Sequence, residues 1–126
     1  MSVLAQLTTV VVDCADPAAL AAFYQKATGW ELSYSDEDFA SLDAGGTGAG
    51  AGLAFVRVEG HQAQTWPEGI KHLHLDFTVS DLAGAVEELL ALGASRPDFQ
   101  PGEGQWVVLT DPQGNPFCLI PATAAN

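Results

Sequence analysis

A β-branched run that meets an aspartate, continues at helical spacing and stops at a glycine occurs twice in this chain, and this repeat limits the fold more than any other feature. The first copy reads LTTVVVDC over 7–14, then Asp16-Pro17, then Leu20, Phe23, Tyr24 and Ala27, then Gly29. β-Branched side chains favour strands, Asp followed by Pro starts a helix, and a left-handed glycine ends one. The second copy reads as a strand from Lys71 to Val79, then Asp81, then Leu82, Ala85, Val86, Leu89 and Leu92, then Gly93. Asp16 to Gly29 spans 13 residues, Asp81 to Gly93 spans 12, and the two aspartates lie 65 apart. A repeated strand-to-helix unit of this size within one chain indicates internal duplication.

The rest of each copy reads as short strands. In the first, Trp30 to Ser33 begins one, Asp36-Glu37-Asp38 turns, Phe39 to Leu42 forms a second, Asp43 to Gly52 connects, and Leu53 to Val58 closes the set. In the second, a strand around Arg96 to Phe99 precedes the Gly102-Glu103-Gly104 turn. Trp106 to Thr110 and Pro116 to Ile120 follow, joined by Asp111-Pro112-Gln113-Gly114. The expectation is an α+β fold of two tandem β-α-β-β-β units, about 5–58 and 71–121, joined by a link at 59–70. The 1–126 chain reads as one domain. Its sheets are expected to form a cupped cavity between the copies, with the helices on the outer face.

At 126 residues such a chain can bury roughly two thirds of its unfolded surface in one core. Sixteen acidic residues oppose four basic ones, Lys26, Arg57, Lys71 and Arg96, for a formal charge of −12 and a pI near 4.1. A surface so acidic repels phosphate backbones and anionic lipid, which argues against nucleic-acid and membrane partners. The start, MSVLAQLTTVVVD, has neither the basic flank nor the cleavage site of a signal peptide, so a cytoplasmic location is expected. Cys14 and Cys118 lie inside apolar runs, where thiols act as small hydrophobes and a structural disulfide is not expected. Gly45 to Gly52 holds no G-x-G-x-x-G and runs into no helix, which excludes a phosphate cradle.

The stretches DPAALAAFYQKATGW, HLHLDFTVSDLAGAVEELLALGA and DPQGNPFCL together resemble the vicinal oxygen chelate superfamily, which includes glyoxalase I, bleomycin-resistance proteins and extradiol dioxygenases. The link TWPEGIKHLHLDF looks most like the glyoxalase-like members. The resemblance implies a cleft where catalytic members hold a divalent metal through a polar residue on the first strand of each unit and a glutamate on the last. Seven residues before the capping aspartates stand His74 and Thr9. Three residues beyond Asn115, where the glutamate is expected, stands Cys118, and the matching stretch LAFVR of unit one has no carboxylate. His74 alone matches a ligand position, so no cofactor is expected, and a divalent metal is the less favoured alternative.

Three further donors lie near His74: His72 and Asp76 on the same strand face, and Cys118 as a thiolate. Same-strand neighbours two residues apart sit roughly 6 to 7 Å apart, so their convergence on one ion is expected only with loop movement. Asp76 alternates with Leu75 and Phe77, placing it opposite the helix-packed face. Trp30, Tyr34, Trp66, Trp106 and Phe55 are aromatic candidates for stacking on a ligand, with Trp66 and Trp106 favoured.

Two functional classes remain open. One is a binding protein whose incomplete metal site holds or sequesters a neutral or cationic aromatic compound, with His72, His74, Asp76, Trp66, Trp106, Phe55 and Cys118 at the ligand. The other is a glyoxalase-like lyase, isomerase or dioxygenase in which His74 is metal ligand or general base and Asp76 orients it. A two-fold homodimer is expected in either case.

Overall fold

The computed structural model describes residues 3, 7–44, 50–62, 66–67 and 73–122, and divides the chain into two compact units, Met1–Gln62 and Ala63–Asn126. In the first, β1 (Thr9–Cys14), α1 (Pro17–Thr28), β2 (Glu31–Ser35), β3 (Phe39–Asp43) and β4 (Gly52–Arg57) follow in that order. The sheet order is β1-β4-β3-β2. β1 is parallel to β4, and the other neighbours are antiparallel. A parallel pair needs a long crossover, which the helix begins.

The boundaries of α1 follow from its ends. The Asp16 carboxylate accepts the Ala19 N–H at 3.2 Å, Pro17 occupies the first helical position, and Gly29 closes the helix at φ 76°. A side-chain acceptor satisfies one orphan N–H at the start, and glycine enters the left-handed region without a Cβ clash. The helix lies against β2, β3 and β4 and buries Leu20, Ala21, Phe23 and Tyr24. Ala27, expected on that apolar face, is exposed in the last turn.

The second unit repeats the plan with β5 (Leu75–Val79), α2 (Leu82–Leu92), β6 (Val107–Thr110) and β7 (Pro116–Pro121), in sheet order β5-β7-β6. β5 is parallel to β7, and β6 is antiparallel to it. Asp81 accepts the Gly84 N–H at 3.2 Å, and Gly93 at φ 118° ends α2. The start of the expected strand, 71–72, lies outside the described residues.

The strand expected around Arg96 to Phe99 does not form, and Pro97 explains why. Ser95 exchanges both backbone hydrogen bonds with Thr110, each at 2.8 Å, so an antiparallel ladder would next pair residue 97 with Val108. Proline has no N–H to give. The Gln100 side chain takes its place: Oε1 accepts the Val108 N–H at 2.9 Å, while Nε2 donates to Val108 O at 2.8 Å and to Pro97 O at 2.9 Å. One amide thus does the work of a strand edge.

The β6–β7 turn is similarly built around one buried side chain. The Asp111 carboxylate accepts the backbone N–H groups of Gln113 at 2.9 Å and Asn115 at 3.0 Å, together with the Asn115 side-chain amide. Three residues later, β7 carries Cys118.

Val108 is fully buried, so loss of the Gln100 amide leaves two backbone groups without partners. Gln100→Ala is expected to lower unfolding stability by about 2 to 4 kcal/mol, read from urea denaturation. Gln100→Glu, which still accepts from Val108 but cannot donate, should fall between the two; stability unchanged in both variants would refute the strand-edge role.

Candidate functional site

Strand β5 alternates between half-buried Leu75, Phe77 and Val79 and exposed Asp76 and Thr78, as a period of two requires. The backbone register then brings Asp76 opposite Cys118 on β7. His74, one residue before β5, turns its imidazole to Asp76, with Nε2 3.2 Å from Oδ1. One donor atom from each of His74, Asp76 and Cys118 lies within 4.8 Å of the others. For Asp76 and Cys118 this proximity is reached without the loop movement expected; His72, part of the same expectation, lies outside the described residues. Cys118 reaches Asp76 across adjacent strands rather than along one, and His74 sits outside the regular strand.

The three differ in exposure. His74 and Asp76 side chains are 50% and 52% exposed, whereas Cys118 is 6% exposed. Burial pushes the Cys118 thiol up to about 11, helped by the nearby Asp76 charge and its hydrogen bond. Below that pH the sulfur carries its proton. The His74–Asp76 pair offers an acceptor carboxylate and an imidazole for hydrogen bonding or proton exchange.

These residues open onto a cavity of about 360 Å³, lined also by Trp66 and Trp106. Trp66 is anchored by its indole N–H, which donates to Phe99 O at 2.9 Å, and its ring lies 6.1 Å from that of Phe99. Trp106 lies directly against Gly102, where an added Cβ would fall 2.7 Å from Cδ2 of the indole. Glycine at 102 is therefore what lets the ring occupy this position. Gln105 and Ile120 also line the cavity and were missed by the sequence reading. Ile120 had a usable signal, since it stands two residues beyond Cys118 on one strand; Gln105 had only its place beside Trp106.

The other candidates fall elsewhere. Phe55 is a correction: it is fully buried in unit one with its ring stacked on Tyr24, centroids 5.6 Å apart, so its face is taken up by core packing. Tyr34 is exposed on β2 and donates to Asp36, and Trp30 is half-buried just after α1. His72 lies outside the described residues.

The donors do not fit the hard-ion site of catalytic superfamily members. The unit-one register pairs Thr9 with Gly52 and Val11 with Ala54, positions that offer one hydroxyl and no carboxylate, imidazole or thiol. In unit two the expected carboxylate is a sulfur. Among the described residues, vicinal-oxygen chelation on such an ion therefore has no ligand set of the usual kind.

Alkylation of Cys118 by iodoacetamide is expected to be slow at pH 7 and to accelerate as pH rises toward 11, because only the thiolate attacks. Asp76→Asn removes the neighbouring negative charge and should move the profile to lower pH. Mass spectrometry of the Cys118 peptide reads both, and a profile centred near the ordinary cysteine range would contradict the burial argument.

Residues 9–120 match the family described as a glyoxalase-like domain. Among solved structures, a glyoxalase/bleomycin resistance protein/dioxygenase family enzyme from Burkholderia phytofirmans PsJN is 25% identical, with a TM-score of 0.70 over 93% of this chain and 98% of that one. The bleomycin-binding protein of Streptomyces verticillus, solved with copper(II)-bleomycin, is 20% identical, with a TM-score of 0.58 over 96% and 99%. The trypanothione-dependent glyoxalase I of Leishmania major is 14% identical, with a TM-score of 0.68 over 97% and 90%. The last two likenesses are of fold. No curated protein matches the sequence. With a family match across both units and the repeated strand-helix-strand plan, the chain belongs to the glyoxalase-like family of the vicinal oxygen chelate superfamily.

Proposed function

We propose that this chain is a small-molecule-binding protein of the glyoxalase and bleomycin-resistance type. Its ligand is a neutral or cationic compound with an aromatic part, held in the second-unit cavity. The observation that carries the reading is that Trp66, Trp106, His74, Asp76 and Cys118 line one cavity of about 360 Å³, within the usual range for small-molecule pockets. Among the described residues, no lysine or arginine lines it. An aromatic ligand stacks on indole, and a cation or hydrogen-bond donor compensates the Asp76 carboxylate. The bleomycin-binding relative is consistent with sequestration on this fold.

A second reading is favoured by the 3.2 Å contact between His74 and Asp76, which orients an imidazole as a base. In that reading the chain is a glyoxalase-like lyase, isomerase or dioxygenase. The missing unit-one donors support the binding reading over this one.

No helix among the described residues is long and apolar enough to cross a membrane. A cytoplasmic location, a single domain over 1–126 and a homodimer belong to the proposal. The exposed apolar side chains Val11, Leu32 and Tyr34 support self-association. Sedimentation equilibrium at micromolar concentration should give twice 13.1 kDa, and a species of 13.1 kDa alone would remove the dimer from the reading.

A thermal-shift screen of metabolites and antibiotics in the presence of a chelator should return neutral or cationic aromatic hits. Asp76→Asn is expected to weaken a cationic hit by about 1 to 3 kcal/mol, the scale of a charge-assisted hydrogen bond, with the fold intact. Uniformly anionic hits, or unchanged affinity in both Asp76→Asn and His74→Ala, would place the binding site elsewhere.

A further inference from the structure

Two indoles and one carboxylate face the second-unit cavity, and the fold holds each of them in place. The Trp66 N–H is taken up by Phe99 O at 2.9 Å, and the Trp106 ring lies against the bare backbone of Gly102. The Asp76 carboxylate has part of its hydrogen-bonding capacity filled from within: His74 Nε2 lies 3.2 Å from Oδ1, and the Cys118 thiol donates to the same carboxylate. Neither a neutral imidazole nor a thiol cancels its charge, so the cavity keeps an anion whose lone pairs are partly occupied. Among the described residues, no lysine or arginine lines the cavity to neutralise it.

Cations differ in what they require of such a wall. A primary ammonium brings three N–H donors and a tightly held hydration shell, and each donor left without an acceptor inside the cavity costs free energy. A quaternary ammonium has no N–H, spreads its charge over its methyl groups, and is drawn to the faces of aromatic rings, indole most strongly. Its attraction to Asp76 acts through space and needs none of the lone pairs that His74 and Cys118 occupy. We infer that the cavity takes a quaternary, N-methylated ammonium group, held against Trp66 and Trp106 with Asp76 as its counter-charge. The inference rests on the small-molecule reading and narrows it: the ligand is a cation, and its charge sits on a quaternary nitrogen beside the aromatic part.

Benzyltrimethylammonium, benzylammonium and benzyl alcohol share one aromatic part and differ in the head group. Titration calorimetry of the three against the full chain, in chelator at neutral pH, therefore tests the head group alone. Benzyltrimethylammonium should bind about tenfold or more tighter than either of the others, and tetramethylammonium alone should compete with it. Asp76→Asn should weaken benzyltrimethylammonium by about fivefold and leave benzyl alcohol within about twofold. Trp66→Leu and Trp106→Leu should each weaken it by about fivefold. Should either variant misfold by circular dichroism, the parent sequence carrying ring-fluorinated tryptophan decides: fluorine draws charge from the ring face, so the quaternary cation should bind less tightly and benzyl alcohol about as before. Benzylammonium binding as tightly as its trimethyl counterpart, unchanged affinity in Asp76→Asn, or indifference to the tryptophan changes would overturn the inference. If benzylammonium or benzyl alcohol still binds in that case, the small-molecule reading stands without it. If none of the three binds, the inference falls and the library screen alone decides that reading.

Discussion

Strand β7 is paired on both sides, and the candidate site depends on that double pairing. Cys118 faces Asp76 on β5 through a parallel ladder and Val108 on β6 through an antiparallel one. Val108 is held in turn by the Gln100 amide, which stands in for the strand edge that Pro97 cannot supply. The position of a half-exposed carboxylate beside a buried sulfur thus rests on hydrogen bonds that run from the Gln100 side chain through the sheet backbone. Such register is hard to slip, since a one-residue shift would send every side chain of a strand to its opposite face.

The two units share this framework and differ in what they place on it. The unit-one pair equivalent to Asp76 and Cys118 is Val11 and Ala54, and the equivalent of His74 is Thr9. Apolar or small side chains are what an ordinary sheet accepts there. In unit two, the same positions carry an imidazole, a carboxylate and a thiol, groups whose burial or partial burial costs free energy unless they are paired. Chemistry has been concentrated in one copy of a duplicated fold. Among the described residues, that asymmetry leaves unit one without the carboxylate or imidazole expected of the superfamily, whereas an imidazole, a carboxylate and a thiol cluster within unit two.

Most of the fold was legible because it rests on local rules. Asp16 and Asp81 cap their helices, Gly29 and Gly93 end them, and the β-branched runs become strands, all through interactions within a few residues. The failures arose where side chains act at a distance. Nothing in the sequence around 96–99 announces that an amide three residues beyond Pro97 will replace a ladder bond. Phe55 reads as an available aromatic until the fold stacks it on Tyr24. The site was half legible for the same reason: alternation along β5 placed Asp76 on the exposed face, but only cross-strand register could bring it to Cys118.

The acidity of the chain acquires a more local meaning beside this geometry. Arg57, one of four basic residues, pairs with Asp38 at 3.0 Å and lies near Glu59 at 3.4 Å, on an exposed surface in the first unit. Such exposed pairs contribute little to stability. Among the described lining residues, Asp76 has His74 as its one potential cationic neighbour, and that neighbour is charged only when protonated. At neutral imidazole, the cavity presents a carboxylate, two indoles and a thiol. That combination disfavours an anion and is consistent with the neutral or cationic aromatic ligand proposed above. The proposed ligand would exploit one physical fact: among the described residues, the fold sets the Asp76 carboxylate beside two indoles with no lysine or arginine in the cavity lining.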